Sequence, residues 1–215
     1  MFNINLEQLL LSVPPILISL TVHEAAHAYT AMRFGDPTAA MLGRVTLNPI
    51  KHLDPIGTLM IFFSGFIGWA KPVPVNPRLM GHPSRDLMLV SLAGPASNIM
   101  LACVGIIVFR AVMFIPGVTG VMPGEVSFQL ISMLQMLVFI NVSLAVFNML
   151  PIHPLDGSKI LEHFLPYSAA STFSRIEPYG MFILIAVVVS GVTSYISAPF
   201  YKITLYLLYS GTGGV

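Results

Sequence analysis

Charge is what this sequence has least of. Asp, Glu, Lys and Arg together make up 9% of its 215 residues, against roughly a quarter in an ordinary soluble domain. Ten Lys and Arg offset nine Asp and Glu for a net charge of +1. There is thus no basic excess to hold nucleic-acid phosphates and no acidic tail, which argues against a nucleic-acid partner. Cysteine is nearly absent too: Cys103 stands alone in the apolar run 87–109, which rules out an internal disulfide framework and a cysteine-built zinc knuckle. No internal repeat, low-complexity tract or polar stretch long enough for a second soluble domain is seen. The N-terminal apolar run lacks a basic leader and continues into ionisable residues, unlike a secretory signal. Residues 1–215 are expected to form one membrane-embedded domain.

What the sequence does have is apolar length. Hydrophobic residues make up 55% of the chain and the mean hydropathy is +0.83. A spanning helix needs about 20 mainly apolar residues, and four stretches qualify, at about 9–32, 87–112, 128–150 and 178–197. The fold class expected is an all-α polytopic membrane protein with about four transmembrane helices. A fifth apolar run, 56–69, is only about 14 residues long and carries three glycines, too short to cross comfortably. The prolines flanking it, in LNPIKHLDPIG and KPVPVNPR, forbid a continuous helix. Residues 45–80 therefore read as a re-entrant loop or β-hairpin that enters the membrane and leaves on the same side.

The basic residues support that topology. Arg33, Arg44, Lys51, Lys71, Arg78 and Arg85 all fall between the first and second long spans, none falls in 113–127, and Lys159 and Arg175 lie in 151–177. Positive charge collects on the cytoplasmic side, which places the N-terminus outside and 33–86 and 151–177 inside. A full crossing at 56–69 would put Arg33, Arg44 and Lys51 opposite Lys71, Arg78 and Arg85 and erase the asymmetry. The tail 198–215, with tyrosines at 201, 206 and 209 around Lys202, reads as an interfacial helix.

Near the end of the first span stands His23-Glu24-Ala25-Ala26-His27. On a helix the two imidazoles share one face and can bind one zinc, while Glu24 is placed to act as general base toward water. Ionisable groups inside an apolar span are expensive and are functional by default; the bland alternative is a hydrogen-bonded polar cluster within a bundle. A catalytic zinc usually takes three protein ligands and keeps one position open. Asn148-Met-Leu-Pro-Ile-His-Pro-Leu-Asp-Gly157 follows the third long span, on the same cytoplasmic side as the end of the first helix. Asp156 and His153 are both candidates for the third ligand on composition, and Asp156 could instead cap the helix that follows it.

HEAAH at 23–27, GPASN at 94–98 and NMLPIHPLDG at 148–157, in that order, closely resemble the site-2 protease family of intramembrane zinc metalloproteases. The likeness covers about residues 15–165. It implies one zinc per chain, held by His23, His27 and Asp156, with Glu24 as the catalytic base and Asn148 positioning substrate or stabilising the oxyanion. It implies a transmembrane protein as substrate, within the lipid bilayer, and Asn98 facing the active-site cavity. A histidine at 153 departs from the nonpolar residue frequent in relatives, which opens a role beside the metal. The connections 113–127 and 198–215 are too short for the accessory domains of some relatives, so gating is expected from the loops or from a regulatory membrane protein. The absence of targeting extensions suggests a prokaryotic cytoplasmic membrane.

Two further expectations come from the residues themselves. A helical substrate must be unwound before water can attack it, and Val73 and Val75 could offer an edge to which the unwound strand docks; the alternative is a rigid turn. Gly94 and Pro95 serve helix packing and a kink, a role open to Ser97 as well, and His52, Asp54, His82 and His163 lie where water can solvate them. The competing functions are a catalytically silent scaffold for transmembrane clients, disfavoured by the intact Glu24, and a metal transporter, which would spread polar groups along several spans.

Overall fold

The computed structural model describes residues 6–54, 57, 71–114 and 124–210. Among these the chain is helical with no strand. Helix α1 (Leu6–Arg33) is followed by the single turn α2 (Thr38–Met41). Then come α3 (Pro83–Phe114), α4 (Gly124–Asn148), α5 (Asp156–Phe164), α6 (Tyr167–Ser174), α7 (Gly180–Val189) and α8 (Val192–Tyr209). Three helical stretches are long and apolar enough to cross a membrane, Pro83–Met113, Gly124–Asn148 and Tyr167–Val189. The expected span 9–32 lies within α1, whose 28 residues measure about 42 Å at 1.5 Å per residue.

Helices α1, α3 and α4 pack on one another and form the frame of the molecule. Ile99, Met100, Val104 and Ile107 of α3 face outward, as a lipid-facing helix surface would. Cys103 shares that exposure. Phe109 of α3, Val138 of α4 and Leu208 of α8 are fully buried together. A second cluster, Ala31, Met80 and Val90, joins the end of α1 to α3 and takes Val75 and Phe34 against it. A third, Leu150, Leu155 and Leu184, seats the 148–157 loop on α7.

Two boundaries differ from the sequence expectation. The span expected at 178–197 is divided, because α7 stops at Val189 and Gly191 takes a left-handed φ of 77° before α8 begins. The apolar crossing is instead Tyr167–Val189. The C-terminal helix expected from 198 starts six residues earlier in the chain, at Val192, and is more than a surface helix. Its Leu208 and Tyr209 pack against α3 and α4, and Arg110 of α3 donates to the carbonyls of Leu207 and Ser210 at its end. Tyr195 and Tyr206 stay exposed.

Only the two arms of the expected re-entrant segment 45–80 are described; most of its apolar middle, 56–69, lies outside the described residues. The arms meet, with the Lys71 amide donating to the His52 carbonyl at 2.8 Å. Residues 71–76 run extended along the end of α1, where alternate prolines prevent a helix.

Candidate metal centre

The HEAAH sequence lies in continuous helix, so His23 and His27 stand one turn apart on the same face of α1. Their Nε2 atoms are 3.0 Å apart, and each lies 3.3 Å from Oδ2 of Asp156. These three ligand atoms come from residues far apart in the sequence, and both imidazoles are buried.

The opposite edge of each ring decides what the inner edge can do. His27 Nδ1 donates to the Val90 carbonyl at 2.7 Å, and a carbonyl can only accept. His23 Nδ1 lies 2.5 Å from Oδ1 of Asn98. With the ring protons on Nδ1, both Nε2 atoms are bare lone pairs in the neutral imidazoles, and they face a carboxylate oxygen. That oxygen is itself buried without a hydrogen-bond partner among the described residues. Three electron-rich atoms at this spacing repel one another unless a cation lies among them. Tetrahedral zinc, at about 2.0–2.2 Å from N and O ligands, sets those ligands about 3.3 Å apart. The observed triangle fits that requirement with one position left for a further ligand.

Asp156 is not a helix cap. It is the first residue of α5, Leu155 precedes it in extended geometry, and no side-chain cap bond is made. Its carboxylate is free of the helix and turns to the histidines. Gly157 is needed beside it, since a Cβ there would lie 2.4 Å from the carbonyl oxygens of Met149 and Leu150. The Asn-to-Asp loop can therefore fold back tightly enough to bring Asp156 to α1. Gly94 has the same role on α3: a Cβ would fall 2.4 Å from His27 Nε2 and 2.6 Å from His23 Cε1. The α3 backbone thus lies directly against the two rings, a closer role than general helix packing.

Glu24 meets the segment 71–76. Its Oε2 accepts the Val73 backbone N–H at 3.2 Å, so the extended segment is tied to the carboxylate between the two histidines. A second tie lies three residues on, where Asn76 N–H donates to Asp36 Oδ2 at 2.6 Å. Asp36 is fully buried and also accepts from the Thr38 amide and hydroxyl. Burial alone would raise its pKa, but these hydrogen bonds from Thr38 and Asn76 outweigh it and hold the carboxyl below its ordinary range. Val75 packs on the Ala31, Met80 and Val90 cluster.

The other expected residues fall in distinct places. Asn148 ends α4 and donates to the Leu144 carbonyl of its own helix at 3.0 Å. Asn98 is fully buried and is turned to His23. His153 does not join the metal group. It is buried, with its ring centroid 4.6 Å from that of Phe173 and its Nε2 without a partner among the described residues. Burial keeps its imidazole pKa low and Lys159 adds to this, against a smaller upward pull from Glu177 and Glu162. His52 is not solvated as expected: it is 1% exposed and bonded through Nε2 to the Thr46 carbonyl. Sequence reasoning passed over Ser19, Asp36 and Asn141, all fully buried. A polar side chain inside an apolar span was the signal for Ser19 and Asn141.

Comparison with known proteins gives the family. The model of peptidase family M50 matches residues 13–191, which include all three ligand candidates. The chain belongs to peptidase family M50. This M50 chain is 41% identical over 184 residues to "Putative zinc metalloprotease YwhC" of Bacillus subtilis, covering 86% of this chain and 82% of that one. It is 33% identical over 196 residues to "Putative zinc metalloprotease Rip2" of Mycobacterium tuberculosis H37Rv, covering 89% and 70% respectively. The protein named Rip2 in Mycolicibacterium smegmatis is 33% identical over 178 residues, 81% of this chain and 64% of that one. No solved structure matches the chain.

Proposed function

We propose that this M50 peptidase is a zinc-dependent endopeptidase that hydrolyses peptide bonds in or near transmembrane segments of membrane proteins. The observation that carries the reading is the triangle of His23 Nε2, His27 Nε2 and Asp156 Oδ2, with sides of 3.0–3.3 Å, set among helices apolar enough for a membrane. The relatives named as zinc metalloproteases support the choice of metal.

When bound, zinc supplies Lewis acidity that lets water act as a nucleophile near neutral pH. Its holders would be His23, His27 and Asp156. Glu24 accepts the proton of the attacking water and delivers it to the leaving amine nitrogen, since a carboxylate beside the ligands can serve in both directions. The extended segment carrying Val73 and Val75 takes the unwound substrate by backbone pairing, replacing hydrogen bonds that the substrate loses on leaving its helix. Asn148, at the end of α4, holds the substrate carbonyl region. Asn98 serves the site through His23. The distribution of Lys and Arg supports an active site near the cytoplasmic side, with the N-terminus outside.

The test compares wild type with Glu24→Gln on purified protein in bilayers, scoring cleavage of single-span substrates and bound zinc. The Gln variant is expected to keep zinc and to lose about 10²–10⁴-fold in rate. Equal cleavage by both proteins would remove Glu24 as the base. Zinc uptake with no cleavage of a broad substrate panel by wild type would favour a silent scaffold.

A further inference from the structure

Behind His23, away from the metal triangle, three helices share a closed set of polar contacts. Ser19 of α1, Asn98 of α3 and Asn141 of α4 are all fully buried. Asn141 Nδ2 donates to Ser19 Oγ and to the Leu137 carbonyl, each at 2.7 Å. Asn98 Nδ2 donates to Asn141 Oδ1 at 2.7 Å and to the Ser19 carbonyl at 3.3 Å. Ser19 Oγ donates to the Pro15 carbonyl at 2.7 Å.

The direction of every bond follows from three groups that can only accept. The Pro15 carbonyl takes the Ser19 proton, so Ser19 Oγ must accept from Asn141. The Leu137 carbonyl takes the second Asn141 proton, which fixes the Asn141 amide nitrogen on that side and turns its oxygen to Asn98. The Ser19 carbonyl and that oxygen then use both Asn98 protons. Only the oxygen of Asn98 remains for His23, and it requires a proton on His23 Nδ1.

We propose that Asn141 is a positioning residue of the metal centre. Acting through Asn98, with Ser19 closing the ring, it fixes the His23 tautomer and ring orientation that leave Nε2 bare toward the metal. Orienting partners of this kind typically change metal affinity 10–100-fold. The idea deepens the metal reading above and rests on it, and a buried amide set between three helices gives it a reason beyond packing.

The test uses the full chain and zinc alone, with affinity read by chelator competition for wild type, Asn98→Ala, Asn141→Leu and the double variant. Asn141→Leu keeps the branched shape of the side chain, at a larger volume, and deletes every polar bond it makes. It is expected to bind zinc about 10–100-fold more weakly, with the double variant no weaker than Asn98→Ala. The ¹⁵N imidazole spectrum of the zinc-free protein gives an independent readout: His23 is protonated on Nδ1 in wild type and becomes a tautomer mixture in Asn141→Leu. Wild-type affinity in Asn141→Leu, or losses that simply add in the double variant, would overturn the proposal. If Asn141→Leu fails to fold, Ser19→Ala carries the same cycle and the same criteria. A wild type that takes up no zinc overturns the metal reading as well, whereas zinc binding insensitive to Asn141 overturns this inference alone.

Discussion

The backbone N–H of Val73 donates to Glu24 Oε2 across 3.2 Å, although 49 residues separate the two. The carboxylate next to the metal-binding histidines and the extended segment are thereby one mechanical unit. Asp36 makes the second attachment of that segment through Asn76 N–H. A change in the segment should therefore affect catalysis without touching the ligands.

Val73→Pro removes the N–H that Glu24 accepts. A hydrogen bond to a charged group contributes about 1.5–3 kcal/mol. We expect kcat/KM for a single-span substrate to fall roughly 10–100-fold while zinc stoichiometry stays at the wild-type level. Unchanged cleavage would show that the segment is only a rigid turn.

Asp36→Ala should separate the two attachments. It leaves the half-buried Asn76 N–H and the Thr38 amide without their acceptor, a loss of about 1 kcal/mol, the low end for groups that water can partly reach. Faster proteolytic nicking around 71–76, slower substrate cleavage and full zinc content are the expected results. Wild-type protection of the segment would contradict the role given to Asp36.

Gly94→Ala should do the reverse and strike the metal first. The new Cβ would lie within 2.6 Å of both imidazoles, and forcing such overlap costs about 1–3 kcal/mol. Zinc content, measured by elemental analysis, is expected to drop together with activity, while residues 71–76 keep their protection from protease. Full zinc binding in this variant would show that the rings can move aside.

His153 gives the chain a pH-dependent stability. Its pKa is lowered in the folded state by burial and by Lys159, so the unfolded state takes up a proton at higher pH than the folded one. The stability tied to its neutral form is present above the unfolded value of about 6.5 and is lost as pH falls toward the folded value. His153→Phe, which retains an aromatic partner for Phe173, should flatten the dependence of Tm on pH in that window. An identical slope in both proteins would assign the effect elsewhere.

The sequence alone determined the membrane setting, because low charge and long apolar runs have no other stable home. It also marked His23, Glu24 and His27, since a helical spacing of four residues is a local property that needs no tertiary knowledge. The remaining ligand was open between His153 and Asp156 on local grounds, and likeness to a family, not spacing, favoured the aspartate. Only the tertiary structure brought Asp156 Oδ2 within 3.3 Å of both imidazoles. It turned His153 away to Phe173 and set the Gly94 backbone against the rings. The same holds for the ring of Ser19, Asn98 and Asn141: each amide or hydroxyl was visible as a polar residue in an apolar helix, but which atom donates to which depends on how three helices pack. Local periodicity is written in neighbouring residues, whereas the direction of a hydrogen bond between helices is fixed only when distant carbonyls come within reach.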